Sequence, residues 1–361
     1  MNATRLGAPS TWVGRARGWM ASMRLALLLP LLLAGCASAP LPVAPAEPVM
    51  TAAAAVALDE QLLRLDPQRV SDEDVRQVLA RGPTPRIVNL HGGIYPVHLV
   101  MDSFAHFLVA MGYPDHKIRH PGDGRNSHSP YESSLQIAGV VAWYYENEGL
   151  MPMMVGHSQG GIQLVKVLYL LDGQGTDEVA VWNPLTDRAE PRTEIIDPVT
   201  REPRPVVGLQ VNYAAVVGSG GAALLLPNQW EMIGRLQAIP DSVKEFTGFA
   251  LDVDLVAWDL PGMGAGYKPL GNASVRNVRL PADYSHVMVA SSAHLARDPA
   301  VRDWINAYVP GSKVPPPASD EPLDNLYFAA EVWYELKKHW VLEAQKQVRT
   351  RRELQARASP F

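Results

Sequence analysis

Cysteine is nearly absent from this chain: Cys36 is the only one in 361 residues. A lone cysteine cannot close an intramolecular disulfide, so stability has to come from a packed core. Long apolar runs are lacking too. The stretch Leu25 to Ala34 is ten residues long and broken by Pro30, too short to span a bilayer. Charge of one sign is also missing, since the formal net charge is −5 and no basic face or interleaving of aromatic with basic residues is present. That argues against a nucleic-acid partner and favours a small or lipidic substrate. The length allows one large core or two modest ones.

What is there begins with a targeting segment, residues 1–35. Arg15, Arg17 and Arg24 precede the apolar stretch, which closes in Leu33-Ala34-Gly35-Cys36 where an export signal is cleaved. These four residues resemble the lipobox of bacterial lipoproteins. The resemblance implies that Cys36 becomes the lipid-modified first residue of the mature chain. Acyl chains, at about 0.8 kcal/mol per buried CH₂, hold a protein to a membrane without a spanning helix. Ala37 stands where an Asp commonly signals inner-membrane retention in Gram-negative lipoproteins, so the resemblance points to the cell envelope with the periplasmic face of the outer membrane favoured. Residues 36–57 are rich in Ala and Pro and read as a tether, and residues 58–83 have the spacing of a helical lead-in.

The most informative residues are Gly156-His157-Ser158-Gln159-Gly160-Gly161. The apolar run Met151 to Val155 before them reads as a buried strand, and Ile162 to Leu171 after them as a buried helix. A serine between strand and helix sits on a sharp turn that crowds the residues two before and two after it, and here both are glycine. Such a turn lifts the hydroxyl to the strand's carboxyl edge and leaves the Gln159 amide facing the place where an oxyanion would form. Gly218-Ser219-Gly220-Gly221 also follows an apolar run, Val206 to Val217. It has Val217 where the turn needs a glycine, so it reads as a turn or pocket loop.

Upstream, the strand candidate Arg86 to Leu90 ends in His91-Gly92-Gly93, and Val97 to Met111 reads as an amphipathic helix. Lys117 to His120 reads as a further short strand and Glu132 to Glu146 as another helix, an alternation that predicts a mostly parallel sheet with helices on both faces. The glycine loop followed by the nucleophile elbow resembles the α/β-hydrolase superfamily over residues 84–310. The resemblance implies the α/β-hydrolase fold, with a second oxyanion amide from Gly92, Gly93 or Ile94 and with His91 bracing the loop. Ile94 departs from the HGGG form of the hormone-sensitive-lipase-like branch.

A serine hydroxyl needs a base, and the base needs an orienting carboxylate. In the resembled fold these follow the serine in the order acid, then histidine. His286, His294 and His339 are the histidines after the elbow. His286 is the expected base because it follows the strand-like run Ala273 to Leu280 and precedes a helix ending near Tyr308. The acid follows the strand Phe246 to Leu251: Asp254 in the first place, with Asp252 and Asp259 as alternatives. Asp259-Leu260-Pro261-Gly262 imitates a loop that many hydrolases place before the nucleophile, and here it reads as a turn.

Residues 183–245 read as a cap insertion, in which Asn183 to Pro205 is an excursion and Ala222 to Ile233, with Leu226 and Trp230, is a lid or acyl-pocket wall. Residues 311–361 read as a Pro-rich linker and a basic amphipathic helix, packed on the domain or facing lipid. The expectation is a membrane-tethered serine hydrolase of carboxylic esters, with no cofactor, no metal and no nucleic-acid partner. An acyltransferase, thioesterase or amidase would use the same residues, and a non-catalytic envelope binding protein could keep the same fold.

Overall fold

Runs dominated by Val, Ile, Met and Ala form the centre of the molecule, because apolar side chains on both sides of a strand suit a sheet covered on both faces. The computed structural model describes residues 51–252, 254–257 and 266–358. Its central strands are β1 (Ile87–Leu90), β2 (Met153–His157), β3 (Val211–Val217), β4 (Val243–Ala250) and β5 (Ser274–Arg279). They lie side by side in chain order and every pairing is parallel. The helices are α1 (Ala52–Arg64), α2 (Asp72–Gln77), α3 (Tyr95–Ala110), α4 (Ser134–Glu148), α5 (Gln159–Leu171), α6 (Pro299–Ala307) and α7 (Leu326–Ala358). The architecture is α/β, a parallel sheet between two helical layers.

Alternation along the strands divides the apolar side chains into two cores. Ile87, Met153, Val155, Ala215 and Val217 face α1, α2, α3, α6 and α7. Val88, Leu90, Met154, Ala214 and Val216 face α4, α5 and the segment carrying Met232, Leu236 and Ile239. The chain leaves β1 and crosses the first face as α3. It then touches β1 again in a parallel bridge between Leu90 and His128, before passing over the second face as α4 to reach β2. Crossovers of one hand change face when they change direction along the sheet, so the direction reverses between β1 and β2. A crevice at the carboxyl ends of the strands is expected at such a reversal.

Four expectations are corrected. Lys117 to His120 is no strand: Asp115–Lys117 is a 3₁₀ turn, and the contact with β1 is made instead by His128. Its main chain accepts from His91 N at 3.1 Å and donates to Asn89 O at 2.7 Å. Helix α1 starts at Ala52, inside the stretch read as tether, because Thr51 Oγ1 caps it and Leu58 and Leu62 find a buried face. The range 183–245, read as a cap insertion, is split by β3, the core strand that the apolar run Val206 to Val217 predicts. What precedes β3 is a pair of short antiparallel hairpins, Trp182–Asn183 with Arg188–Ala189 and Glu194–Ile196 with Pro203–Pro205. Finally, residues 311–361 are no appendage to a domain ending at 310: helix α7 belongs to the core, with Trp333, Leu336 and Trp340 fully buried. Of its basic residues, Arg351 and Arg352 pair with Asp59 and Glu60 of α1. Among the described residues no helix is long and apolar enough to cross a membrane.

Candidate active site

Five loops leave the carboxyl ends of the five strands, and they bring the candidate residues to one place. Ser158 follows β2 directly and is the N-cap of α5, with φ 56° and ψ −125°, a conformation that costs a non-glycine residue about 1–3 kcal/mol. The turn is possible because the chain crowds it from two sides. A Cβ on Gly160 would collide with the carbonyl oxygens of Leu90 and His91, and one on Gly156 would stand 2.6 Å from Gly161 Cα. Strand β1 and the elbow are therefore in backbone contact.

His286 comes from the irregular segment after β5. Its Nε2 lies 2.9 Å from Ser158 Oγ, and its Nδ1 lies 2.7 Å from Asp254 Oδ2. Asp254 follows β4 by four residues and is 2 % exposed. Burial pushes its carboxyl up, but the hydrogen bonds from His286 and from the amides of Ala257 and Val256 together outweigh it and hold the group below its ordinary value. An ionised Asp254 can only accept, so His286 donates from Nδ1 and its Nε2 is left to accept the serine proton. Serine, imidazole and carboxylate form one hydrogen-bonded line.

The loop after β1 lies against the same group. Gly92 lies against Ser158, since a Cβ there would stand 3.0 Å from the serine Cβ, and Gly93 lies under the Gln159 side chain. The carbonyl of Gly93 accepts from Tyr131 Oη at 2.9 Å, and that of Gly92 accepts from His91 Nδ1 at 2.7 Å. These bonds tie down the carbonyls of Gly92 and Gly93. Gln159 is the first residue of α5, where a helix has no acceptor for its N–H, and the helix dipole adds positive potential. His91, whose pKa burial lowers, braces the loop from behind.

The remaining candidates do not join this group. Asp252 is half-exposed and lies 3.6 Å from Arg279. His294 sits in the 3₁₀ turn Ala293–Ala296. His339 is buried in α7, stacked on Tyr213 at 4.8 Å. Asp259 and Cys36 lie outside the described residues. Ser219 packs its hydroxyl against Gly161.

Sequence reasoning missed two neighbours of the line. Gly218, with φ +59°, lies against the imidazole and the carboxylate: a Cβ there would stand 3.0 Å from His286 Nδ1 and 3.3 Å from Asp254 Oδ2. Its position just past a central strand of a parallel sheet was the available signal. His157, inside the motif itself, donates from Nε2 to the His286 carbonyl at 2.7 Å.

Two other features could be mistaken for sites. Glu245, Glu335 and His339 bring one ligand atom each within 4.8 Å of one another. The Lys338 ammonium already stands 2.5 Å from Glu245 and 3.3 Å from Glu335, so the group is an ion-pair network with its own cation. A groove of about 420 Å³ between α7 and the Glu194–Pro205 hairpin, lined by Val199, Lys346 and Leu354 among others, contains none of Ser158, His286 or Asp254.

No family profile matches the chain, and neither does any curated protein. A solved structure described as "RedJ with PEG molecule bound in the active site" is similar at 16% identity over 56% of this chain and 82% of that one, with a TM-score of 0.26. A likeness that distant carries no weight for fold or function.

Proposed function

We propose that this protein is a serine hydrolase of the α/β-hydrolase fold that cleaves carboxylic esters through an acyl-enzyme. The observation that carries the reading is the line Asp254, His286, Ser158, with separations of 2.7 and 2.9 Å, ending on a serine held at φ 56° beside two amide-bearing turns. Backbone strain at one polar residue, with a base and a buried carboxylate behind it, is the arrangement that nucleophilic catalysis requires.

In this reading Ser158 Oγ attacks the ester carbonyl carbon while its proton passes to His286 Nε2, and the carbonyl π pair moves onto oxygen. The amides of Gln159 and of Gly92 or Gly93 receive that oxyanion. Asp254 keeps the imidazole in the Nδ1–H tautomer and stabilises the imidazolium. Collapse of the tetrahedral species breaks the ester C–O bond, and the leaving alkoxide takes the proton from Nε2. Water, deprotonated by His286, then attacks the acyl-enzyme, releasing the acid and restoring Ser158. The substrate we propose carries an apolar acyl group: exposed Leu225, Trp230 and Ile233 in the segment after β3 support it. Cys36, through its lipobox-like surroundings, is proposed as the lipid anchor that holds the enzyme to the bacterial outer membrane.

Active-site labelling tests the reading. A fluorophosphonate should label the wild-type chain and leave Ser158→Ala untouched, and a folded wild-type chain that stays unlabelled overturns it. On a panel of acyl esters, Asp254→Asn should lose about four orders of magnitude in kcat while Asp252→Asn stays near wild type. The reverse order would move the acid to Asp252.

A further inference from the structure

His157 is the residue of the elbow that the mechanism above leaves idle. It is the last residue of β2, wholly buried, and burial with the nearby His286 lowers its pKa to about 3, so the ring is neutral at physiological pH. A neutral imidazole has one N–H. The His286 carbonyl, 2.7 Å from Nε2, can only accept, which puts the proton on Nε2 and leaves Nδ1 a buried acceptor without a partner among the described residues. The first nitrogen, not the second, therefore makes the ring's one hydrogen bond among the described residues.

What the first one does follows from where His286 sits. Residues 281–292 contain no helix or strand. Other ties of this segment flank the histidine: Tyr284 Oη accepts from Tyr327 N, Asn325 Nδ2 donates to the carbonyls of Met288 and Ser291, and Ser103 Oγ accepts from Ser292 N. At His286 itself the bond from His157 joins the main chain to the sheet. The two rings lie 5.5 Å apart, and Ser158 is the next residue along. Adjacent residues on one strand end thus hold the same histidine at two points, the side chain by Ser158 and the carbonyl by His157.

We infer that His157 is a positioning residue: its Nε2–H, donated to the His286 carbonyl, sets the depth at which the His286 imidazole meets Ser158 Oγ. The inference rests on the hydrolase reading of Ser158, His286 and Asp254. Because the donor belongs to β2 and the acceptor to a loop, the strand that carries the nucleophile also fixes its base, and motion of one is followed by the other. A displacement near 1 Å at the base lowers the rate by about 10²-fold and leaves ground-state binding intact.

The test compares wild type, His157→Leu and His157→Gln on p-nitrophenyl butyrate. Leu fills the space without a donor, and Gln carries an N–H at similar reach. Leu should lower kcat by about 10- to 100-fold with KM within about twofold, and Gln should recover most of the loss. A folded Leu variant with wild-type kcat, or a folded Gln variant as impaired as Leu, overturns the inference. Should Leu fail to fold, ¹⁵N NMR of the wild-type ring at pH 6 decides: a neutral Nε2–H tautomer supports the bond, and a protonated ring or an Nδ1–H tautomer overturns it. Fluorophosphonate labelling of the wild type keeps the two readings apart. An unlabelled wild type removes the hydrolase reading and this one with it, whereas a labelled wild type with an unimpaired Leu variant removes only this one.

Discussion

Ser158 concentrates the tension between stability and chemistry in one residue. Its φ of 56° suits glycine, and a side chain there costs about 1–3 kcal/mol. Replacing it by glycine should therefore raise the thermal midpoint while abolishing phosphonate labelling. An unchanged or lower midpoint in thermal melts of Ser158→Gly would show that the hydroxyl's bond to His286 matters more than the strain. The motif was legible because every residue of the elbow is local in sequence, glycines included. Gly218 was not legible in the same way. Its contact with His286 and Asp254 arises between three strands, and the Gly-Ser-Gly-Gly run around it carries no sign of what it faces.

At the scale of elements, α7 shows how composition can mislead. The run beyond Pro315-Pro316-Pro317 looks like an appendage, because prolines precede it and Lys337, Lys338, Lys346, Arg349, Arg351 and Arg352 make its distal part basic. In the structure Trp333 and Trp340 are buried in the first core, and Lys337 lies between them in the helix, 2 % exposed. Its ammonium donates to the carbonyls of Val70 and Asn306, each at 2.7 Å. Burial pushes its pKa down to about 8. The folded chain therefore releases this proton before the unfolded one, whose lysine titrates near 10.4. Between those values the unfolded state holds more protons, so this group's penalty on folding is greatest below pH 8 and is relieved as pH rises. The gap corresponds to about 3 kcal/mol. Urea unfolding at pH 7.5 and at pH 10 should show wild type gaining on Lys337→Met by up to about that amount. A constant difference between the two proteins would mean that the ammonium is solvated.

The topology of the whole molecule explains why α7 belongs to the core. Strands β2 to β5 follow one another in a single direction, so the connections after β2 fall on the second face, with α5 and the Met232 segment. Among the described helices only α3, on the crossover that runs the other way, comes to the first face from between the strands. The rest of that face is covered by what precedes and follows the sheet: α1, α2, α6 and α7. A boundary drawn at residue 310 on prolines cuts through this layer. The proposed anchor acts at this scale as well. If Cys36 carries the acyl chains, Cys36→Ser should move the protein from the detergent phase to the aqueous phase on Triton X-114 partitioning while ester hydrolysis in the aqueous phase is retained. A Cys36→Ser protein still found with the detergent would shift the anchor elsewhere.

The sequence by itself determined what is local: a buried strand leading into a helix through a glycine-flanked serine, a glycine loop after an earlier strand, and an α/β alternation that implies a parallel sheet. The resemblance it carries pointed to His286 as base and to Asp254 as acid ahead of Asp252 and Asp259, through their places after two further strands. Only the tertiary structure decided which groups meet. The parallel register draws five strand ends to one edge, and there Asp254 loses its water and gains His286 and two amides, whereas Asp252 stays half in solvent beside Arg279. The same packing places a second histidine, His157, under the first. Contacts of this kind depend on separations of about 30 to 130 residues, and chain folding rather than motif spacing sets them.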